Sequence, residues 1–156
     1  MNILGTQFTL NRKSLEIYIA GCKGDSRYGY CHNCHNKETW SFNQGEIYNK
    51  YYFNKIKNKI NEFPTMIKNI EIYGGEPNDQ DYNDLKHFLE DLSTLNLPIW
   101  LFTRYDLDKC PKFEYELCDY IKCGMYIEEL TVDNNIQYGF KLATSNQHIY
   151  KKGVDY

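Results

Sequence analysis

A strand followed by a glycine turn is encoded by Ile70-Glu71-Ile72-Tyr73-Gly74-Gly75-Glu76-Pro77. The first four residues alternate between apolar and polar side chains in the way that favours a β-strand. Two glycines then allow positive φ angles and a close approach of the backbone to a ligand. Glu76 adds a carboxylate that can accept a hydrogen bond from an ammonium group, and Pro77 stiffens the exit. Taken alone, the segment is also typical of an ordinary strand-to-helix turn.

Segments with strand and helix patterns alternate on both sides of this turn. Strands are predicted at residues 15–20, 70–73, 99–102 and 119–123, and helices at residues 46–62 and 81–95. Pro111 leaves residues 107–117 ambiguous, and residues 130–142 are predicted to form a hairpin that turns at Asp133-Asn134-Asn135. The alternation predicts βαβ units on a parallel sheet, in a single domain that spans residues 1–156. Four units are too few for a closed eight-stranded barrel, so an open or partial barrel is expected.

Helical spacing of the apolar residues predicts which side chains of the two helices face the core. The predicted inward positions are Ile47, Tyr51, Ile56 and Ile60 in the first helix, and Leu85, Phe88, Leu89 and Leu92 in the second. His87 lies between these positions and is expected at the surface.

Residues with the capacity to bind a ligand follow three of the predicted strands. Cys22 comes after the first strand, residues 74–77 after the second and Thr103 after the third. Ligands of open α/β sheets bind at the carboxyl ends of the strands, so these residues are expected to share one site.

A cysteine loop follows the first strand. Cys31-His32-Asn33-Cys34 is a C-x2-C unit, and Cys22 lies nine residues before it. Three thiolates can hold three corners of a 4Fe–4S cluster and leave one iron open for a ligand. They can also form a Cys3His zinc site with His32 or His35. The loop alone does not distinguish these two metal centres.

Composition excludes several classes of protein. The 156 residues carry a formal net charge of −3, which lacks the basic footprint of a general nucleic-acid binder. No apolar run has the length of a membrane span, and no signal-peptide core is found near the N-terminus. We therefore expect a cytoplasmic protein, in which clustered thiols bind metal more often than they form disulfides. The remaining thiols, Cys110, Cys118 and Cys123, are expected to be buried or incidental.

The cysteine loop and the Gly74–Pro77 turn together resemble the radical S-adenosylmethionine superfamily. Within it, the chain resembles the activating proteins of anaerobic ribonucleotide reductase. The segments that carry this second resemblance are Cys34-His35-Asn36-Lys37-Glu38-Thr39-Trp40, Ile99-Trp100-Leu101-Phe102-Thr103, Asp119-Tyr120-Ile121-Lys122-Cys123-Gly124 and Thr144-Ser145-Asn146-Gln147. They are similar to the family patterns CHNPETW, IWLYTGY, DVLIDG and SSNQ.

The resemblance implies a fold, a set of ligands and a reaction. The fold would be a truncated, open partial (β/α) barrel of the radical S-adenosylmethionine type, with a short C-terminal β extension. Cys22, Cys31 and Cys34 would hold the 4Fe–4S cluster. Gly74, Gly75, Glu76, Pro77 and Thr103 would contact S-adenosylmethionine. The enzyme, an oxidoreductase, would take an electron from a flavodoxin or ferredoxin, cleave S-adenosylmethionine, and form a glycyl radical on the catalytic subunit of the anaerobic (class III) ribonucleotide reductase.

The chain departs from the family at three places. Eight residues, rather than three, separate Cys22 from Cys31; an early GPG stretch is missing; and Arg104 replaces a glycine. Two alternatives stay open. One is a radical S-adenosylmethionine enzyme that acts on another glycyl-radical enzyme or on a small molecule, and the other is a zinc-bound structural or interaction module.

Overall fold

The computed structural model describes residues 1–156 as an α/β protein with three helices. The strands are β1 (Asn2–Thr9), β2 (Ser14–Ile19), β3 (Glu46–Ile47), β4 (Asn69–Gly74), β5 (Ile99–Phe102), β6 (Tyr120–Cys123), β7 (Ile136–Gln137), β8 (Phe140–Lys141) and β9 (His148–Lys151). The helices are α1 (Lys50–Glu62), α2 (Tyr82–Ser93) and α3 (Lys112–Leu117). No helix is long and apolar enough to cross a membrane.

Seven strands form one mixed sheet in the order β3-β1-β2-β4-β5-β6-β9. The four central strands, β2, β4, β5 and β6, run parallel, whereas β1 and β9 run antiparallel to the neighbours that they flank. β3 and β9 lie at opposite ends, so the sheet is open. The predicted α/β class is confirmed and the sheet is not closed, but the prediction of a parallel sheet was right only for the four central strands.

Alternation along the parallel strands separates two faces of the sheet. Ile17 and Ile72 are fully buried in the main core, where they pack with side chains of α1 and α2. The four predicted inward positions of α2, Leu85, Phe88, Leu89 and Leu92, are all buried there, which confirms its pattern. The intervening strand residues face away from the helices, and the cavity described below opens at the end of the strands.

The first helix begins later than predicted. Residues Glu46–Ile47 form β3, and α1 begins after Asn49, whose side chain accepts a hydrogen bond from the amide of Tyr52. The cap sets a register in which Tyr52, Phe53, Ile56 and Ile60 are buried. The prediction was right for Ile56 and Ile60 but wrong for Ile47 and Tyr51, which are exposed.

The C-terminal hairpin exists, but it turns at a different place. β7 and β8 are joined by Tyr138 and Gly139, both with positive φ angles, as a tight two-residue hairpin requires. The predicted turn at residues 133–135 was wrong. Asn135 instead donates hydrogen bonds from its side chain to the carbonyls of Thr144 and Gln147, at 2.9 and 3.0 Å. The ambiguous residues 107–117 form a 3-10 turn (Leu107–Lys109) and then α3, which begins directly after Pro111.

Candidate functional site

A cavity of about 430 Å³ lies where the four parallel strands end. The chain segments that follow β2, β4, β5 and β6 all contribute to its wall. Among the residues that line it are Cys22, Cys31, Cys34, Gly74, Gly75, Glu76, Thr103, Arg104 and Lys122. The structure therefore brings the site residues predicted from the sequence around one cavity, except Pro77, which is buried at the start of a 3-10 turn.

The three cysteines on the wall are free thiols of intermediate exposure. Cys22 is fixed by the strand that precedes it and by a hydrogen bond from its amide to the carbonyl of Trp40, at 3.0 Å. The amide of Cys34 bonds the carbonyl of Cys31 at 3.2 Å, which closes the C-x2-C unit into a turn. Burial raises the pKa of Cys22 and of Cys31, because it penalises the charged thiolate.

The residues between Cys22 and Cys31 form a small closed turn. Asp25 and Gly29 exchange backbone hydrogen bonds at 2.6 and 2.8 Å, so the chain reverses and returns to the cavity. Tyr30 then stacks on Trp40 with a centroid distance of 3.8 Å. The long spacing is thus compatible with Cys22 and Cys31 on the same wall.

The glycine turn packs directly against the end of the strand that carries Cys22. Gly74 has a φ of +106°, and a Cβ at this position would lie 2.5 Å from the carbonyl oxygen of Ile19. A Cβ on Gly75 would overlap the carbonyl of Gly21. The amides of Gly75 and Glu76 donate to the carbonyls of Ile19 and Gly21, both at 2.8 Å. Two glycines are required here because any side chain would push the turn away from the cysteine strand.

Glu76 is a buried carboxylate held by three donors. Oε1 accepts from the Thr103 hydroxyl at 2.5 Å and from the Asn78 amide at 3.0 Å, and Oε2 accepts from the Arg104 amide at 2.7 Å. Burial raises the pKa of Glu76, and these three hydrogen bonds oppose the rise. Thr103, predicted as a cofactor contact, therefore also fixes the orientation of Glu76.

Lys122 is a site residue that the sequence analysis did not select. Its side chain lies on the cavity side of β6, and Nζ donates to the carbonyl of Gly124 at 2.7 Å. Burial lowers its pKa to about 8. A signal was present in the sequence, since a lysine inside a four-residue strand alternates with Ile121 and Cys123, which are buried in the core. It places a basic group in the cavity with the three thiols.

His87 and the remaining cysteines lie where the sequence predicts, and His32 and His35, the histidines of the zinc alternative, both line the cavity. His32 is exposed, with Nδ1 3.0 Å from Glu128 Oε2, and His87 is exposed on α2. Cys110, Cys118 and Cys123 are buried.

The donors around the cavity fit a 4Fe–4S cluster with one open iron. No three His, Cys, Asp or Glu side chains are grouped tightly enough to hold a single metal ion. The three thiols instead lie spread over the wall of one cavity. Three free thiols could supply three cluster ligands, and with no fourth cysteine on the wall one iron would be left for another ligand. A buried carboxylate and two glycines face the same space.

Comparison with known proteins gives the chain a family. A family model described as "4Fe-4S single cluster domain" matches residues 12–149. An anaerobic ribonucleoside-triphosphate reductase-activating protein of Escherichia coli (strain K12) is 25% identical over 140 residues, which cover 86% of this chain and 85% of the relative. The same-named protein of Haemophilus influenzae is 24% identical over 119 residues, covering 72% and 74%. The resemblance to these activating proteins is confirmed, and the chain belongs to the 4Fe-4S single cluster domain family.

Proposed function

We propose that this chain is a radical S-adenosylmethionine activase that forms a glycyl radical on anaerobic (class III) ribonucleotide reductase. The observation that carries the proposal is the meeting of three free thiols and the Gly74-Gly75-Glu76 turn at one cavity. The family match and the names of the relatives support it. Residues 1–156 would act as one truncated radical S-adenosylmethionine domain.

Cys22, Cys31 and Cys34 would hold the cluster in this assignment. When bound, the cluster would supply the single electron that cleaves the sulfonium of S-adenosylmethionine to methionine and a 5′-deoxyadenosyl radical. The protein contributes the fixed positions of the thiols, which are set by the end of β2 and by the turn at Cys31–Cys34. Lys122 would place a basic group in the same cavity as the three thiolates, and a nearby positive charge favours the binding of negative charge.

The glycine turn would hold the amino-acid end of S-adenosylmethionine. Gly74 and Gly75 let the backbone approach the ligand, and Pro77 fixes the exit of the turn. Glu76 Oε2 has one close donor, the Arg104 amide, and so retains the capacity to accept from a cofactor ammonium. Thr103 keeps the carboxylate in this orientation through Oε1.

The partner surface would lie around the mouth of the cavity. Tyr28 and Tyr30 are exposed on the segment between the first two cysteines, and Trp40, which lines the cavity, stacks on Tyr30. Exposed aromatic side chains are enriched at protein interfaces. The glycine-bearing loop of the reductase would enter from this side, and a flavodoxin or ferredoxin would supply the electron.

Spectroscopy of anaerobically reconstituted protein tests the cofactors. We expect a broad visible absorption that dithionite bleaches, and a paramagnetic signal that changes when S-adenosylmethionine is added. Iron should reach about four atoms per chain. Stoichiometric zinc in a colourless protein, after reconstitution with iron and sulfide, would contradict the proposal and favour the zinc module.

The target is tested separately with purified anaerobic ribonucleotide reductase. Incubation of the reduced, cluster-loaded chain with S-adenosylmethionine and the reductase is expected to yield a glycyl radical signal on the reductase and free methionine. Cleavage of S-adenosylmethionine without radical formation on the reductase would instead favour a radical enzyme with a different substrate.

A further inference from the structure

Two departures from the family pattern meet in the structure. We propose that Arg104 is a positioning residue that ties the segment between Cys22 and Cys31 to the Glu76 turn. The arginine is needed to hold the long segment in place, and only the long segment gives the arginine a turn to hold. The effects on cofactor binding rest on the proposed function, whereas the tie itself is a property of the protein without cofactors.

The side chain of Arg104 is anchored on Asp79, two residues after Pro77. Arg104 Nη2 donates to both carboxylate oxygens of Asp79, at 3.0 and 3.1 Å, and the Tyr105 hydroxyl donates to the same carboxylate at 2.9 Å. The guanidinium also lies over the Tyr105 ring, 4.4 Å from its centroid. The Arg104 side chain is only 12% exposed and that of Asp79 is 2% exposed, so water screens this ion pair little.

Asp79 carries the tie on to the cysteine segment. Its Oδ2 accepts a hydrogen bond of 2.6 Å from the amide of Lys23, the residue directly after Cys22. Arg104 Nη1 lies 4.0 Å from Asp25 Oδ2, and the other oxygen of Asp25 caps the turn by accepting from the amides of Arg27 and Tyr28. Arg104 therefore reaches the start of the segment through Asp79 and its turn through Asp25.

Arg104 also lies beside the carboxylate of Glu76. Arg104 Nε is buried without a hydrogen-bond partner, 3.9 Å from Glu76 Oε2. The backbone amide of the same residue bonds that oxygen at 2.7 Å. A movement of the guanidinium therefore changes the electrostatic environment of the carboxylate that is proposed to receive the cofactor ammonium.

The length of the segment explains why an arginine is needed. Ordering additional residues between two fixed points costs conformational entropy, which fixed contacts must offset. A glycine at position 104 has no side chain that could reach Asp79 or Asp25. With the three-residue spacing of the family pattern there is no turn at Asp25 to hold, and a glycine suffices.

The tie is tested first in the protein without cofactors, by the rate at which iodoacetamide alkylates Cys22. We expect Arg104→Met to raise this rate about fivefold or more, because local opening of the segment becomes easier. Arg27→Met is the matched control, since Arg27 is an exposed arginine of the same segment, and its rate should equal that of the wild type. Arg104→Lys, which keeps the charge without the planar donors, should fall in between. If Arg104→Met fails to fold, the rate of Arg104→Lys is compared with that of the wild type instead. Equal rates in the wild type and in the Arg104 variant would overturn the proposal.

Coupling is tested in the loaded protein by shortening the segment by five residues, which restores the three-residue spacing. Arg104→Met in the full-length segment is expected to raise the Kd for S-adenosylmethionine and the rate of iron loss to a chelator by about fivefold to tenfold, the net scale of one ordinary hydrogen bond, because Arg104 acts on the site only through its neighbours. In the shortened chain the same substitution should change both by clearly less, because the contact with the turn at Asp25 is already gone and only those with Asp79 and Glu76 remain to be lost. Equal effects in both backgrounds would contradict the coupling. A wild type that binds neither iron nor S-adenosylmethionine would refute the proposed function, and the alkylation rates would still decide the tie.

Discussion

The molecule contains two groups of three cysteines, and they have different surroundings. Cys22, Cys31 and Cys34 lie half-buried on the wall of the cavity, whereas Cys110, Cys118 and Cys123 are buried in the apolar core. The first group follows a strand end and occupies an irregular loop; the second lies on or beside regular elements whose apolar faces it completes. Residue type alone therefore does not identify a candidate ligand; among the six thiols, only the first group lines the cavity.

The largest expected difference between the two groups is in iron binding. Cys31→Ala is expected to reduce reconstituted iron from about four atoms per chain to less than about one, because two thiolates do not retain the cluster. Cys118→Ala is the matched control and should bind iron like the wild type. The measurement is iron and sulfide content after anaerobic reconstitution and gel filtration. Equal loss of iron in both variants would show that the core cysteines are ligands as well.

The second comparison is between two buried glutamates, Glu76 and Glu114. Glu76→Gln keeps the size of the side chain but removes the charge that would pair with the cofactor ammonium. We expect the Kd for S-adenosylmethionine to rise about 10- to 100-fold, the value of a hydrogen bond to a charged group, with no change in iron content. Glu114→Gln alters a carboxyl group that is as buried as Glu76 but does not line the cavity, and its effect on the Kd should be much smaller. Isothermal titration of the loaded protein measures both, and an unchanged Kd for Glu76→Gln would remove Glu76 from the cofactor site.

Glu114, which lies beside the core cysteines, also makes the stability of the protein depend on pH. Burial raises the pKa of Glu114 from 4.5 to about 7, and its Oε1 has no hydrogen-bond partner. The folded state therefore binds the proton more tightly than the unfolded chain. The stabilisation that comes from binding this proton is fully present below pH 4.5 and is lost as the pH rises to about 7. The loss is on the order of 3 kcal/mol.

Urea denaturation of the apoprotein between pH 5 and pH 8 measures this effect as the difference between the wild type and Glu114→Gln. The wild type is expected to lose stability relative to the variant as the pH rises, with little further change above about pH 7. A difference that does not vary with pH would show that Glu114 is ionised in the native state over the whole range.

Much of the sheet could be predicted from the sequence because its central strands are buried on a helix-covered face. Ile17 and Ile72 alternate with polar residues, and α2 has four apolar positions at helical spacing, so local pattern and burial agree. β1 and β9 were not predicted. β1 contains Gly5 and is mostly half-buried, and β9 has four residues of which only Ile149 is buried. Such strands at the flanks are specified by the neighbour with which they pair, which a local pattern does not encode.

Within the candidate site, the residues found from the sequence are those whose chemical type and spacing are distinctive, namely the three cysteines and the glycine turn. Lys122 and Asp79 were missed for different reasons. The sequence marks Lys122 only by its place between two buried residues of a strand, whereas Asp79 is an ordinary residue until the fold brings it beside Arg104, across 25 residues of sequence. Whether the predicted residues bind the cluster and the cofactor is decided by the binding measurements above.

The smallest expected effect is on the stability of the metal-free protein, where a substitution in the core cysteine group should cost more than one in the cavity group. Cys118 is fully buried, so Cys118→Ala leaves a small void and is expected to lower the free energy of unfolding of the apoprotein by about 1 kcal/mol. Cys34 is half-buried on a loop, and Cys34→Ala should change it by less than about 0.5 kcal/mol. Urea denaturation of the two metal-free variants at one pH, beside the wild type, makes the comparison. If Cys34→Ala were the more destabilising change, its thiol would already support the loop without metal, because a residue needed only as a ligand contributes to stability only when the metal is bound.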